Sequence, residues 1–409
     1  MLRLRHGSLT TVRCVAALLV TGAGLGCRDL LTESPRPEDV LDAPIEGLTR
    51  EELAGFARGD AEFARRFAPA TGLGPIFNDV SCASCHSGDG RGRPDNALNR
   101  VGSPADDFLR SLGGPQIQTQ AIVGAQAERV PVGVPVSLRL PPPVFGSGLI
   151  EAIPVNTIVA GSDSADVNGD GISGRANWVH AAPYVPATEP GGGAGQQLGR
   201  FGRKASVSSL LQQTVGAYHE DMGITSPQLP DENHNPLARA PATADLALDP
   251  EVPAPTVTAV VHYLRSLAPP VPGADNAQRT EGRALFTQLQ CATCHTPRLI
   301  TGTSPIPALA GRTVELYSDL LLHDMGAALA DGRPDEGANG REWRTPPLWG
   351  LRLMRSFLNG DAFLLHDGRA RTVDAAIRLH DGEGAGARDA YQRLTSVQRD
   401  ALLAFVESR

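Results

Sequence analysis

Cys82-Ala83-Ser84-Cys85-His86 and Cys291-Ala292-Thr293-Cys294-His295 decide how this chain is read. Each is a C-x-x-C-H. Two thiols three residues apart lie on one face of a helical turn, where they can reach the two vinyl groups on one porphyrin edge. The next histidine reaches the iron as an axial ligand. With six cysteines and ten histidines in 409 residues, two such strings by accident have odds on the order of one in a million. Zinc would need two further ligands per motif, and a dithiol redox motif would not need the histidine twice. The sequence thus predicts two covalent c-type haems, one on Cys82, Cys85 and His86, the other on Cys291, Cys294 and His295.

The fold expected around these motifs is mainly α, with two class-c cytochrome domains in tandem. In such a domain a helix leads into the motif and a C-terminal helix packs back on the first. Glu51 to Phe67 leads toward Cys82, and Thr256 to Leu267 closes that unit. Thr280 to Gln290 leads into Cys291. Ser396 to Glu407 closes the second unit, with Val397, Ala401, Leu402 and Phe405 at helical spacing. The Pro-rich stretch at 268–278 reads as a linker, so the units span 49–267 and 279–409. The first is longer. Its excess, around 100–200, is rich in Pro and Gly and reads as a loop-rich insertion with short strands.

Composition narrows the partners. The chain carries 41% hydrophobic and 20% charged residues, a net charge of -8 and no basic stretch. That fits a globular protein and argues against nucleic acid as a partner. Lys204 is the single lysine beside 36 arginines. Residues 1–27 read as an export signal: Arg3, Arg5 and Arg13 precede an apolar run from Cys14 to Leu25, too short to span a bilayer. Gly26-Cys27 resembles a lipoprotein cleavage site. Lipid on Cys27 and a tether over 28–48 would hold the protein on the periplasmic side of a bacterial membrane, touching it only through the anchor. Gly24 stands where such sites usually carry a large aliphatic residue.

Asp166-Val167-Asn168-Gly169-Asp170-Gly171-Ile172 places oxygen donors at alternate positions before a glycine. This is a calcium-loop pattern, with Asp166, Asn168, Asp170 and the Ile172 carbonyl as ligands. Position twelve holds Asn177 instead of an acid. An Asx-rich turn without metal is the alternative.

Several further strings carry a resemblance. They are Phe77-Asn78-Asp79, Gly148-Leu149-Ile150-Glu151-Ala152-Ile153-Pro154, Gly199-Arg200-Phe201-Gly202-Arg203-Lys204-Ala205, Asp221-Met222-Gly223-Ile224-Thr225, Leu321-Leu322-His323-Asp324-Met325-Gly326, Arg344-Thr345-Pro346-Pro347-Leu348-Trp349-Gly350 and Leu365-His366-Asp367-Gly368-Arg369. In this order, over residues ~50–409, the chain resembles the bacterial di-haem c-type oxidoreductases related to the di-haem cytochrome c peroxidases.

The resemblance implies roles. The sixth ligand of the second haem falls at His380, 14 residues after His366. Methionine there gives a high potential, and histidine a lower one. Met325 is the runner-up ligand. His366 is implied as a neighbour of the ligand shell or a propionate partner. Lys204, as the single lysine among arginines, is a candidate propionate or distal-pocket cation, with mutational chance as the alternative. The first haem is the expected reaction centre. No histidine occurs between His86 and His180, so its distal side is open or is capped by His180, His219 or Met222. Peroxide cleavage needs a distal acid–base group. Asp221, 20 residues after Phe201, takes that place, with Glu220 and Glu151 as further candidates. Phe201 stands where the peroxidases place a tryptophan between haems. Trp343 or Trp349 could serve as the relay.

The leading expectation is an exported di-haem enzyme. It would reduce a small oxidant, hydrogen peroxide, at the first haem with electrons received at the second from a small c-type cytochrome or other periplasmic donor. A non-enzymatic electron-transfer cytochrome and an oxidase or oxygenase of an organic or protein substrate are the alternatives.

Overall fold

The computed structural model describes residues 39–239, 245 and 247–409. The leader, Cys27 and most of the tether lie outside the described residues.

Each motif is framed by a helix pair. The helix Arg50–Ala64 opens on a capping box: the Thr49 hydroxyl accepts the Glu52 N–H, and the Glu52 carboxylate accepts the Thr49 N–H. It packs on the helix Ala254–Ser266. Gly59 makes the close approach possible, because a Cβ there would stand 2.2 Å from the Ala259 carbonyl oxygen. The second half repeats the device. Helix Ala277–Gln288 packs on Ser396–Val406, and a Cβ on Gly282 would stand 2.0 Å from the Ala401 oxygen. Four residues on from each glycine is a phenylalanine. Phe63 lies 6.1 Å from the His86 ring and 5.4 Å from Tyr263. Phe286 lies 6.2 Å from His295 and 5.4 Å from Phe405. The same glycine–aromatic frame thus backs both motif histidines.

The fold is mixed rather than mainly α. Among the described residues the helices alternate with five two-stranded antiparallel sheets and long irregular stretches. Two of these sheets fall wholly within or at the edge of the expected insertion: Leu98–Val101 pairs with Val136–Arg139, and Trp178–His180 with Gln196–Leu198. Proline removes donors and glycine disfavours regular elements, so this stretch forms ribbons and turns.

Pro37–Arg409 forms one compact unit. The expected linker does run without regular structure up to Ala277. The apolar cores, however, do not divide there. Leu316, Leu321 and Trp349 join the cluster built on Phe63, Ile150 and Tyr263. Leu140, from the expected insertion, joins Phe286 and Phe405. No helix among the described residues is long and apolar enough to cross a membrane.

Candidate active site

Both motifs open onto one cavity of about 420 Å³. Cys82, Cys85, His86, Cys291, Cys294 and His295 all line it. Each cysteine pair occupies a single helical turn, Cys82–Cys85 or Cys291–Cys294, followed by its histidine. No disulfide joins the four cysteines, and burial raises the thiol pKa of both Cys82 and Cys291. Among the described residues neither motif gathers the ligands of a small metal ion.

At the second motif, His295 Nδ1–H donates to the Tyr317 carbonyl at 3.0 Å. His380 stands just beyond the helix Val373–Arg378, with Nδ1–H on the Ala376 carbonyl at 2.7 Å, near enough for its charge to act on His295. Both rings line the cavity. Burial lowers both pKa values, His295 to about 4. Each imidazole is therefore neutral, with its proton fixed on Nδ1 and its Nε2 lone pair free for a metal. Met325 also lines the wall. A Cβ on Gly384 would stand 3.3 Å from Met325 Cε and 3.1 Å from His380 Cβ, so both side chains lie against that glycine.

His323 is a wall residue whose place spacing alone did not give. Its Nε2 meets Asp319 at 2.8 Å, its Nδ1 meets Glu383 at 2.7 Å, and Cys294 Sγ lies 3.6 Å from Nδ1. Burial opposes its charge, but the hydrogen bonds to these groups outweigh burial and hold its pKa up, at about 12. Asp319 stands four residues before it, a hint present in the sequence.

At the first motif, Asp221 sits in the cavity wall at the end of helix Leu210–Met222. Its carbonyl accepts the N–H groups of Asn78 at 2.7 Å and Asp79 at 3.1 Å, which ties the helix end to the segment entering Cys82. Its carboxylate accepts a short hydrogen bond from Gln116 Nε2. Burial raises its pKa to about 7, with Gln116 opposing and Glu220 adding to the rise. Met222 lines the wall beside it. His180 and His219 do not line the cavity, and His219 binds the Asp231 carbonyl. Asp79 accepts the Cys85 thiol at 3.4 Å.

The family described as "Di-haem oxidoreductase, putative peroxidase" matches residues 37–107 and 119–409. This chain is a member of the di-haem oxidoreductase family. No curated protein matches it. Two solved structures are similar. One is Kuenenia stuttgartiensis hydrazine synthase pressurised with xenon, at 14% identity and TM-score 0.41, covering 99% of this chain and 100% of that one. The other is a MauG-like protein associated with microbial copper homeostasis, at 15% identity and TM-score 0.38, covering 92% and 94%.

The wall of this oxidoreductase fits two haems. It presents two thiol pairs and the neutral, oriented pair His295 and His380. It also holds buried cations with unmet donors: Arg91 lines the cavity, and its Nε and Nη2 have no partner. Phe201, Trp343 and Trp349 add aromatic surface to the same wall. His366 lines it too, stacked on Trp343 at 3.8 Å and 8°.

Other expected residues have different work. Glu151 is not in the wall. It binds Arg265 at 2.6 Å and caps the Leu210 N–H at 2.8 Å, so both oxygens are engaged in joining helices. Glu220 also lies outside the wall and pairs with Arg100 at 3.4 Å. Lys204 is fully buried behind Trp343. Its ammonium gives its hydrogen bonds to Asp331 and to the Arg333 and Asn339 carbonyls, at 2.7, 2.7 and 2.8 Å. That leaves nothing for a propionate. Its neighbour Arg203 takes the place in the wall.

In the Asp166–Ile172 loop the side-chain oxygens accept from the loop's own backbone: Asp166 from the Gly171 N–H, Asn168 from that of Asp170, and Asp170 from that of Ile172. The last two are Asx turns. Among the described residues, the acidic oxygens close enough to share one ion are those of Glu232, Asp249 and Glu251.

Proposed function

We propose that this di-haem oxidoreductase reduces hydrogen peroxide at the Cys82/Cys85/His86 site, with electrons received at the His295/His380 site. The observation that carries this reading is the asymmetry of the shared cavity. Burial raises the Asp221 carboxyl to about 7 at the first motif, whereas a second buried imidazole, His380, lines the cavity near the motif histidine at the other.

The cysteine pairs would anchor both haems through thioethers, and His86, His295 and His380 would be the iron ligands. When bound, the haems supply one-electron steps and, at the first site, an iron to which peroxide can bind. The balance is one peroxide, two electrons and two protons to two waters. Asp221 takes the proton of the inner peroxide oxygen and returns it to the outer one as the O–O bond breaks. Gln116 holds Asp221 in place through their hydrogen bond. At the other site, the Tyr317 and Ala376 carbonyls fix the two imidazoles. The pre-set pair favours rapid electron entry over ligand exchange.

The same proposal places the protein on the periplasmic side of a bacterial membrane, anchored at Cys27, with a small c-type cytochrome as donor. The arginine-flanked apolar leader and the haem attachment sequences support that placement. Peroxide turnover by the purified protein with a reduced c-type cytochrome tests the reading. Turnover that saturates with peroxide is expected. If neither ferric haem binds peroxide or cyanide, the protein is an electron-transfer cytochrome instead.

A further inference from the structure

Three cations in the cavity wall have no part in the proposed reaction. Arg91, Arg203 and Arg344 all line the cavity. Arg91 and Arg203 are buried and Arg344 is half-buried. Arg203 gives Nε and Nη2 to the Leu140 carbonyl, and Arg344 gives Nε to that of Gly202. Arg91 Nε and Nη2 are buried without a partner. Among the described residues none of the three guanidinium groups makes an ion pair. They also oppose one another. Burial first, then Arg91 and Arg344, depress the charge on Arg203. Buried guanidinium groups with like-charged neighbours and unmet donors are strongly unfavourable unless anions join them.

The three form a row from one motif to the other. Arg91 follows His86 by five residues. Beside it, a Cβ on Gly92 would stand 2.9 Å from the Cys85 carbonyl oxygen. Arg203 is central: its charge acts on His86, and both Arg91 and Arg344 act on it. Arg344 N–H donates to the Arg203 carbonyl at 3.0 Å. The carboxylate that supports the Arg344 charge is Asp319, whose own N–H is bonded to the Cys294 carbonyl at 2.9 Å.

We propose that Arg91, Arg203 and Arg344 anchor the propionate carboxylates of the two haems, with Arg203 shared between them. This rests on the di-haem reading but not on peroxide as the oxidant. A guanidinium fork matches a carboxylate in two parallel hydrogen bonds, which an ammonium cannot do. A shared Arg203 would give one propionate of each haem a common cation. A carboxylate substrate would satisfy the same chemistry, and the test separates the two sources.

The measurement is a spectroelectrochemical titration of both haems in the purified holoprotein, with resonance Raman of the propionate bending modes. Removing a nearby cation stabilises the ferric state, so potentials fall. Arg91→Leu should lower the first-site potential alone, Arg344→Leu the second alone, and Arg203→Leu both. Arg203→Lys keeps the charge and guards against misfolding. It should hold both potentials near wild type yet shift the propionate modes, because the fork is lost. Unmoved potentials and unchanged propionate modes in all variants would overturn the assignment. So would wild-type potentials that follow added acetate, with that dependence lost in Arg203→Leu, since the row would then be a substrate site. A wild-type preparation with fewer than two haems would refute the di-haem reading itself, which is a separate failure.

Discussion

His295 and His380 each commit Nδ1–H to a backbone carbonyl and face one cavity. Under the proposed function, both would ligate the iron of the second haem through Nε2. The pair comes from segments 85 residues apart in the chain. Both segments pack against the apolar cluster of Phe286 and Phe405.

His380→Ala is expected to remove the low-spin bis-imidazole signal of one haem and leave the other unchanged. Met325→Ala is expected to leave both unchanged. Electron paramagnetic resonance reads both variants. Loss of the signal in Met325→Ala alone would reverse the ligand assignment.

Asp221→Asn separates catalysis from stability. A lost distal acid–base group costs about 10²–10⁴-fold in turnover. In the wild type, kcat/KM should rise with pH through about 7, as the carboxylate that accepts the proton forms. Stability runs the other way. The folded pKa lies above the ordinary carboxylate value, so the stability from this group is fully present below about 4 and lost as pH rises through about 7. Asparagine stays neutral throughout. The variant should therefore melt higher than wild type above pH 7 while turning over far less peroxide.

Glu151→Ala is expected to act on the fold instead. Removing one partner of a buried ion pair costs about 3–5 kcal/mol, and Glu151 also caps the helix that carries Asp221. Thermal melting should fall sharply. At temperatures where the variant is folded, the ligand-field signature of both haems should match wild type.

Gly59→Val and Gly282→Val test the repeated frame. In each a Cβ would collide with a carbonyl oxygen on the closing helix, and overpacking costs about 1–3 kcal/mol. Each substitution is expected to loosen its own motif histidine through Phe63 or Phe286. Haem content and spectra after mild heating should show loss at one site per variant.

Much of this architecture was legible because attachment chemistry fixes sequence locally. The two C-x-x-C-H strings and the leading and closing helices follow from spacing, the Asp221 position follows from the family resemblance, and all of them line one cavity. Spacing failed where backbone turns choose between neighbours. Arg203 and Lys204 are adjacent and both cationic, yet the turn after Gly202, with φ +78°, sends one into the wall and the other behind Trp343. Glu151 shows a second limit: a carboxylate in a family string can be there for helix docking. The expected division at 268–278 failed for a third reason. Leu140 and Leu316 cross between the two apolar clusters, and no local pattern encodes which core a leucine will join.

Trp343 gives a related correction. Lys204 Nζ lies 4.5 Å from its ring and Arg139 Cζ 5.6 Å. Both are paired with carboxylates, Asp331 and Asp335, and the indole N–H is bonded to the Leu329 carbonyl at 2.9 Å. A carbonyl cannot take the proton of an oxidised indole, which disfavours it as a relay. Trp343→Phe is expected to leave the rate of electron transfer between the haems unchanged in a rapid-mixing experiment, whereas a relay would slow by orders of magnitude.

The electron paramagnetic resonance spectrum of the purified ferric protein, before and after peroxide, tests the division of labour between the two sites most directly. The account predicts one low-spin bis-imidazole haem that peroxide does not displace, and a second haem whose signal changes on peroxide addition. Two low-spin haems, both indifferent to peroxide and cyanide, would contradict it.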